Sequence, residues 1–197
     1  MTSNKVVVTG FGPFGPHESN PSSHVAKALS KYPINDCTVI SHEMKVVYSE
    51  VSDTVPKLWM EHNPDLVIHI GVHSVPRCVK IESKAFADGY CRYDVDGHVP
   101  PNNKCVVNMD QTLKCAIDVE DLVKMTKEEV GELPKDFNIE SSDDPGRYLC
   151  GFSYYLSLSN DNTKTLFIHI PPLSNDVTIE LLTRIIATII LNVFKHF

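Results

Sequence analysis

The sequence predicts an α/β fold: a single domain over residues 1–197, in which an open, twisted, largely parallel central sheet carries helices on both faces. Three observations point there. Apolar, β-branched runs of strand length recur at Lys5 to Thr9, Asp65 to Ile70 and Thr165 to Ile170, and each stops at glycine or proline. Segments with helical periodicity stand between them. The 197 residues are 42% hydrophobic and 22% charged, ordinary globular usage with enough apolar material for one core.

Taken in order, Lys5 to Thr9 is a buried strand that runs into a glycine-rich turn. Asn20-Pro21 supplies an N-cap with proline at the first helical position, and predicts a helix to about Lys31. Cys37 to Val47 reads as a strand. Ser49 to Glu61 reads as a helix with Val51, Val55, Leu58 and Trp59 on one face, and Pro56 marks a kink. Asp65 to Ile70 is the second apolar strand, stopping at Gly71, and Val79 to Glu82 is a shorter one. Gly, Pro, Asn and Asp dominate Asp88 to Asn108, which predicts a long irregular excursion over the surface, of the kind that often covers sites. Then come a helix over Asp118 to Glu132, a strand over Phe137 to Ile139 and a helix over about Tyr148 to Leu158. The strand Thr165 to Ile170 and a helix from Asp176 to about Lys195 close the chain. Ligands of such sheets gather outside the carboxyl ends of the strands. Gly10 to Gly15, Gly71 to Arg77 and His169 to Pro172 should therefore border one crevice.

Composition removes several function classes. A formal charge of −7 with scattered lysines gives no broad basic face, so no nucleic-acid partner is expected. Met1-Thr2-Ser3-Asn4-Lys5 leads straight into a short strand and lacks the apolar core of a secretory signal. The most apolar stretch, Ile185 to Val193, is too short to span a bilayer, so no membrane partner is expected. Six cysteines (Cys37, Cys78, Cys91, Cys105, Cys115, Cys150) are irregularly spaced with no C-x-x-C pair, and read as reduced thiols of a cytoplasmic protein.

The chemistry centres on Cys150. A thiol attacks a carbonyl usefully only as the thiolate, so a nucleophilic cysteine needs a base or a positive setting. Cys150 lies early in a helix that follows the turn-forming stretch Ser141 to Gly146, where unpaired N–H groups and the helix dipole favour a negative sulfur. Whether that helix begins at Pro145 or after Gly146 the sequence leaves open. His169 ends an apolar strand before a double proline, which puts its ring at the crevice on a rigid support. The chain between the two is long enough for the helix to cross over and return as that strand. Glu82, at another strand end, could fix the imidazole tautomer. Each has a plainer reading when taken alone: a small core residue, a structural imidazole such as His69, a strand-end carboxylate.

Together the residues resemble a known family. Thr9-Gly10-Phe11-Gly12-Pro13-Phe14-Gly15 with Asn20-Pro21 is similar to the amino-terminal signature of the pyroglutamyl peptidase I (pyrrolidone-carboxylate peptidase) family, and Gly146-Arg147-Tyr148-Leu149-Cys150 to its active-cysteine motif. His69-Ile70-Gly71-Val72, Ile81-Glu82 and Phe167 to Leu173 continue the match in the family's order over nearly the whole chain. The resemblance implies a Cys-His-Glu triad and removal of N-terminal pyroglutamate from peptides, with no cofactor. By position, Cys150 is the nucleophile, His169 the base and then acid, and Glu82 the orienting carboxylate. Phe11 and Phe14 would enclose the pyrrolidone ring, Asn20 would hold the loop, and Gly71 would offer backbone contacts to the lactam. Ser83 to Gly97 departs from the bacterial members and is closer to animal ones, with Arg92 at the offset of their arginine. Gly151 stands where many members carry a polar residue.

Three rival readings remain. Gly10 to Gly15 matches G-x-G-x-x-G after a strand, as in a Rossmann-type dinucleotide binder, although the helix signal comes only at Asn20-Pro21. A non-catalytic binder on the same fold would have no use for the nucleophile. His69 with His73, or Asp94-Val95-Asp96-Gly97, hint at metal ligands but lack the remaining donors, so no metal is expected.

Overall fold

The computed structural model describes residues 3–14, 19–105 and 110–197, so that Gly15 and Asn108 lie outside the described residues. Its elements in order are β1 (Asn4–Phe11), α1 (Pro21–Leu29), β2 (Cys37–Met44), α2 (Tyr48–His62), β3 (Leu66–Val72), β4 (Cys78–Glu82), β5 (Lys84–Phe86), β6 (Thr112–Lys114), α3 (Val119–Glu129), β7 (Asn138–Ser142), α4 (Leu149–Asn160), β8 (Thr165–Ile170) and α5 (Ile179–His196). Six strands form one sheet in the order β2-β1-β3-β8-β4-β7. Helices α1, α3 and α5 cover one face, and α2 and α4 the other. No helix among the described residues is long and apolar enough to cross a membrane.

The expected α/β architecture with a largely parallel sheet is present, and it contains one antiparallel pair. Strands β2, β1, β3 and β8 are parallel, whereas β4 runs antiparallel to β8 and takes β7 with it. The cause is chain length. Only residues 73–77 join β3 to β4, and a parallel return needs a crossover of about a dozen residues. The short ribbon of β5 and β6, antiparallel to each other, was hidden in the same way, because three-residue strands carry no readable period.

Local signals account for most boundaries. Asn20 caps α1 by accepting from the Ser22 N–H, and Asp118 caps α3 by accepting from Asp121. Thr178, rather than Asp176, opens α5. β2 ends at Met44 instead of Val47, and α2 continues unbroken through Pro56. The excursion from Asp88 is irregular as expected, but it is packed and not merely draped: Tyr90 and Cys105 are buried within it. Asp94 anchors it. One carboxylate oxygen accepts from Tyr48 N–H at 3.0 Å, while the other accepts from Asp96 and His98 at 3.0 and 2.9 Å. Tyr48 opens α2, whose own preceding residue Val47 offers no side-chain cap, so Asp94 caps that helix from a distant loop.

Strand alternation sorts the site onto one face. Val6, Val8, Leu66, Ile68, Ile70, Leu166, Ile168 and Ile170 face α1, α3 and α5. The opposite face carries a row across four strands, Thr9, His69, Phe167 and Glu82, and beside it Gly71 paired with His169. Helix α4 lies over these rows. Every residue from Leu149 to Leu158 except Cys150 is buried.

Replacing Asp94 with alanine should cost about 1–2 kcal/mol in urea unfolding, the usual cost of a lost cap. Burial alone would raise the Asp94 pKa, but the N–H donors of His98, Tyr48 and Asp96 outweigh it and hold the group below the ordinary carboxylate range. Its stabilisation is therefore complete above the ordinary carboxylate value and fades as pH falls through the depressed one. The gap between wild type and Asp94→Ala should close in that acid range.

Candidate active site

Cys150 is the second residue of α4, which begins at Leu149, after Gly146 rather than at Pro145. First-turn N–H groups have no partner inside the helix, and the dipole adds positive potential there. The turn sits directly on β3. A Cβ at Gly71 would lie 2.8 Å from the Cys150 sulfur and 3.0 Å from the Phe167 ring, so only glycine lets the thiol settle at this depth. A Cβ at Gly151 would meet the Gly146 carbonyl oxygen at 2.2 Å. That contact explains glycine after the nucleophile: the 145–147 turn presses on the helix start.

His169, at the end of β8, is 7% exposed, and its Nδ1–H donates to Glu82 Oε1 at 2.8 Å. Glu82 is fully buried, and the Tyr154 hydroxyl donates to its backbone carbonyl at 2.7 Å. With Nδ1 committed, Nε2 is the nitrogen left for Cys150, which is within hydrogen-bonding reach. Burial alone would lower the imidazole pKa; the charge and hydrogen bond of Cys150, followed by those of Glu82, outweigh it and raise it to about 9.

The other histidines have separate duties. His69 is buried, bonds to the Thr9 hydroxyl through Nδ1 at 2.7 Å, and is driven by burial down to about 3, so it stays neutral. His73 donates from Nε2 to the Cys78 carbonyl at 2.8 Å. Asp94 is engaged with three backbone N–H groups, as described. Among the described residues no cluster suited to a metal ion is found.

Beside the sulfur lies a cavity of about 180 Å³ walled by Phe11, Phe14, Asn20, Val72, Tyr148 and Cys150, with Arg92 at its rim. That volume is below the roughly 300 Å³ at which sites for drug-sized ligands begin, so it suits one small ring. Asn20, 3% exposed, donates from its amide to the Gly12 carbonyl at 3.2 Å, and the Ser22 hydroxyl donates to Asn20 Oδ1 at 2.8 Å and accepts from Phe11 N–H at 2.9 Å. This net fixes the loop that presents the two phenylalanines. The Arg92 guanidinium lies 4.4 Å from the centroid of the Tyr148 ring, and its carbonyl accepts from the Tyr48 hydroxyl.

Comparison with known proteins gives the family. The family model described as "Putative pyroglutamyl peptidase PgaPase_1" matches residues 1–174. The chain is 35% identical over 186 residues to human pyroglutamyl-peptidase 1, covering 94% of this chain and 87% of that protein. The chain belongs to the pyroglutamyl peptidase family. Pyrrolidone-carboxylate peptidase of Pyrococcus furiosus is 28% identical over 179 residues, with 85% and 80% coverage, so the animal relative is the nearer of the two. The fold superposes on the solved pyrrolidone carboxyl peptidase of Thermococcus litoralis with a TM-score of 0.85, over 98% of this chain and 94% of that one, at 20% identity.

Seen as a pyroglutamyl peptidase family member, the chain brings Cys150, His169 and Glu82 together, and sets Phe11, Phe14, Asn20 and Arg92 around the adjoining slot. Gly71 is placed beneath the sulfur, and the neighbouring wall is Val72. Tyr148 and Val72 were missed as walls, although both stand inside matched motifs: Tyr148 two places before the nucleophile, Val72 directly after Gly71. The dinucleotide reading fails on structure. Gly10 and Phe11 belong to β1, the helix starts only at Pro21, and the cavity is too small for two nucleotides.

Exchanging Glu82 for glutamine should remove one of the interactions that keep His169 protonated. Followed by NMR, the imidazole titration should move from about 9 toward the ordinary histidine value. A titration that stays put would deny Glu82 its orienting part.

Proposed function

We propose that this chain is a cysteine peptidase that removes an N-terminal pyroglutamyl residue from peptides. The observation that carries the reading is a thiol paired to a buried, carboxylate-backed imidazole at the wall of a ring-sized aromatic slot. A lactam is small, flat and uncharged. Phe11, Phe14 and Tyr148 can hold its faces, whereas an ordinary charged amino terminus would lose its water there without gaining a partner.

The Cys150 thiolate attacks the carbonyl carbon that joins pyroglutamate to the next residue, forming a C–S bond while the carbonyl pair moves onto oxygen. First-turn N–H groups of α4, that of Cys150 among them, receive the oxyanion. Its collapse breaks the C–N bond, and His169 gives its Nε2 proton to the departing amine. Now neutral, His169 takes a proton from water, which attacks the thioester; breaking the C–S bond releases pyroglutamate and restores the thiolate. Glu82 keeps the imidazole in the tautomer that serves both steps. A thiol of this kind works only when reduced, and all six cysteines are free, which supports a cytoplasmic setting.

Release of a fluorescent amine from its pyroglutamyl amide tests the assignment directly. Turnover should be blocked by iodoacetamide and should fall by about a thousandfold or more in Cys150→Ala with folding intact; near-normal turnover in that variant would overturn the reading. The rate should also decline as pH rises through about 9, where His169 loses the proton the leaving amine requires. Phe14→Ala should raise KM about tenfold with a smaller effect on kcat, since a ring-binding contact acts on ground and transition states alike. Unchanged kinetics would place the ring elsewhere.

A further inference from the structure

A second cavity, of about 440 Å³, adjoins the slot and shares Phe14, Asn20 and Val72 with it as common walls. Its remaining lining includes His73, Pro172 and Leu173. Nothing in the hydrolysis itself calls on these last residues. Their position does, because the leaving amine must depart on the side from which it is protonated, and that side is His169. The His73 ring stands edge-on to His169 with centroids 5.8 Å apart, so the cavity His73 lines lies on the departure side of the sulfur.

We infer that this cavity receives the side chain of the residue that follows pyroglutamate, and that it selects for an uncharged, apolar side chain there. The inference rests on the peptidase reading above.

Three features support it. Among the described residues the lining carries no fixed charge. Burial first, and His169 beside it, hold His73 below the ordinary histidine range, so at neutral pH that ring is uncharged as well. A lysine or glutamate side chain would therefore enter without a counter-ion. The cavity is also pre-built. Two of the three segments that line it, those after β3 and after β8, are tied by the Arg77–Asp176 ion pair, which spends both charges on each other, and by the His73 N–H donating to the Ile170 carbonyl at 3.1 Å. Leu173, 40% exposed, sits on the rim, where an incoming side chain can cover it.

The test compares kcat/KM for pyroglutamyl-leucine amide, pyroglutamyl-lysine amide and pyroglutamyl-glutamate amide. Wild type should favour leucine over either charged residue by about tenfold, the scale of discrimination an apolar pocket achieves. Leu173→Asp should raise the lysine-to-leucine ratio about tenfold, and Leu173→Lys should do the same for glutamate. Ratios within one enzyme are unaffected by partial misfolding, and the two variants must swing in opposite senses. Turnover with equal wild-type rates, or with ratios unmoved by both variants, would overturn the inference alone. No turnover on any pyroglutamyl substrate would overturn the peptidase reading along with it.

Discussion

The site depends on how closely the first turn of α4 approaches the sheet. With a side chain at position 71, the sulfur of Cys150 would have to rise away from β3 and from Phe167, and its alignment with His169 would go with it. Gly71 and His169 are registered partners on adjacent strands, so the residue without a side chain lies beside the residue whose ring is needed. The helix descends where Gly71 keeps the sheet surface low, and the imidazole rises next to it. Gly151 extends the constraint to the other side of the helix, where the Gly146 carbonyl closes in. The nucleophile is thus held between two backbones, which positions it more firmly than side-chain packing alone could.

Placing this much polarity under a buried helix requires partners. Thr9 and His69 share one hydrogen bond, Glu82 and His169 another, and Trp59 donates to Ser157 further along α4. Four buried side-chain atoms have no hydrogen-bond partner among the described residues: His69 Nε2 and Glu82 Oε2 near the triad, and both amide atoms of Asn192 on α5. Unpartnered buried polar atoms are costly, and the two beside the triad belong to residues of the row that α4 covers. The neutral His69 and the cationic His169 differ because only the latter has a carboxylate and a thiol against its ring. Burial acts on both in the same direction. Charge partners decide which of them titrates usefully.

What could be read from the sequence follows the range of the forces involved. Continuous apolar runs gave β1, β3 and β8, because a strand buried on both faces has to be apolar throughout. Asn20-Pro21 and Asp118 gave helix starts because a cap is a local hydrogen bond. The reversal of β4 was hidden because direction is set by the length of a connection and by which strand is inserted later, and β8 comes late in the chain. Asp94 looked like a fragment of a cation loop, since its use as a cap for α2 depends on a contact 46 positions away. The triad was legible only as a set. Each of Cys150, His169 and Glu82 has a bland meaning alone, and alternation on apolar strands conceals that Thr9, His69, Gly71 and His169 all fall on the face that α4 covers.

The long excursion after β5 ties stability to recognition. Asp94 caps α2 through Tyr48, the Tyr48 hydroxyl donates to the Arg92 carbonyl, and the Arg92 guanidinium lies over Tyr148, a wall of the slot. Tyr48 also packs edge-on against Tyr148 and Phe152 with centroids 6.0 and 5.0 Å apart. The slot wall therefore does not stand on a free loop. It is braced by the start of α2 on one side and by α4 on the other, and loosening the cap would be felt at the ring site before the fold is lost. A site that recognises its ligand by shape rather than by charge needs this kind of bracing, because an aromatic slot discriminates only while its walls keep their spacing.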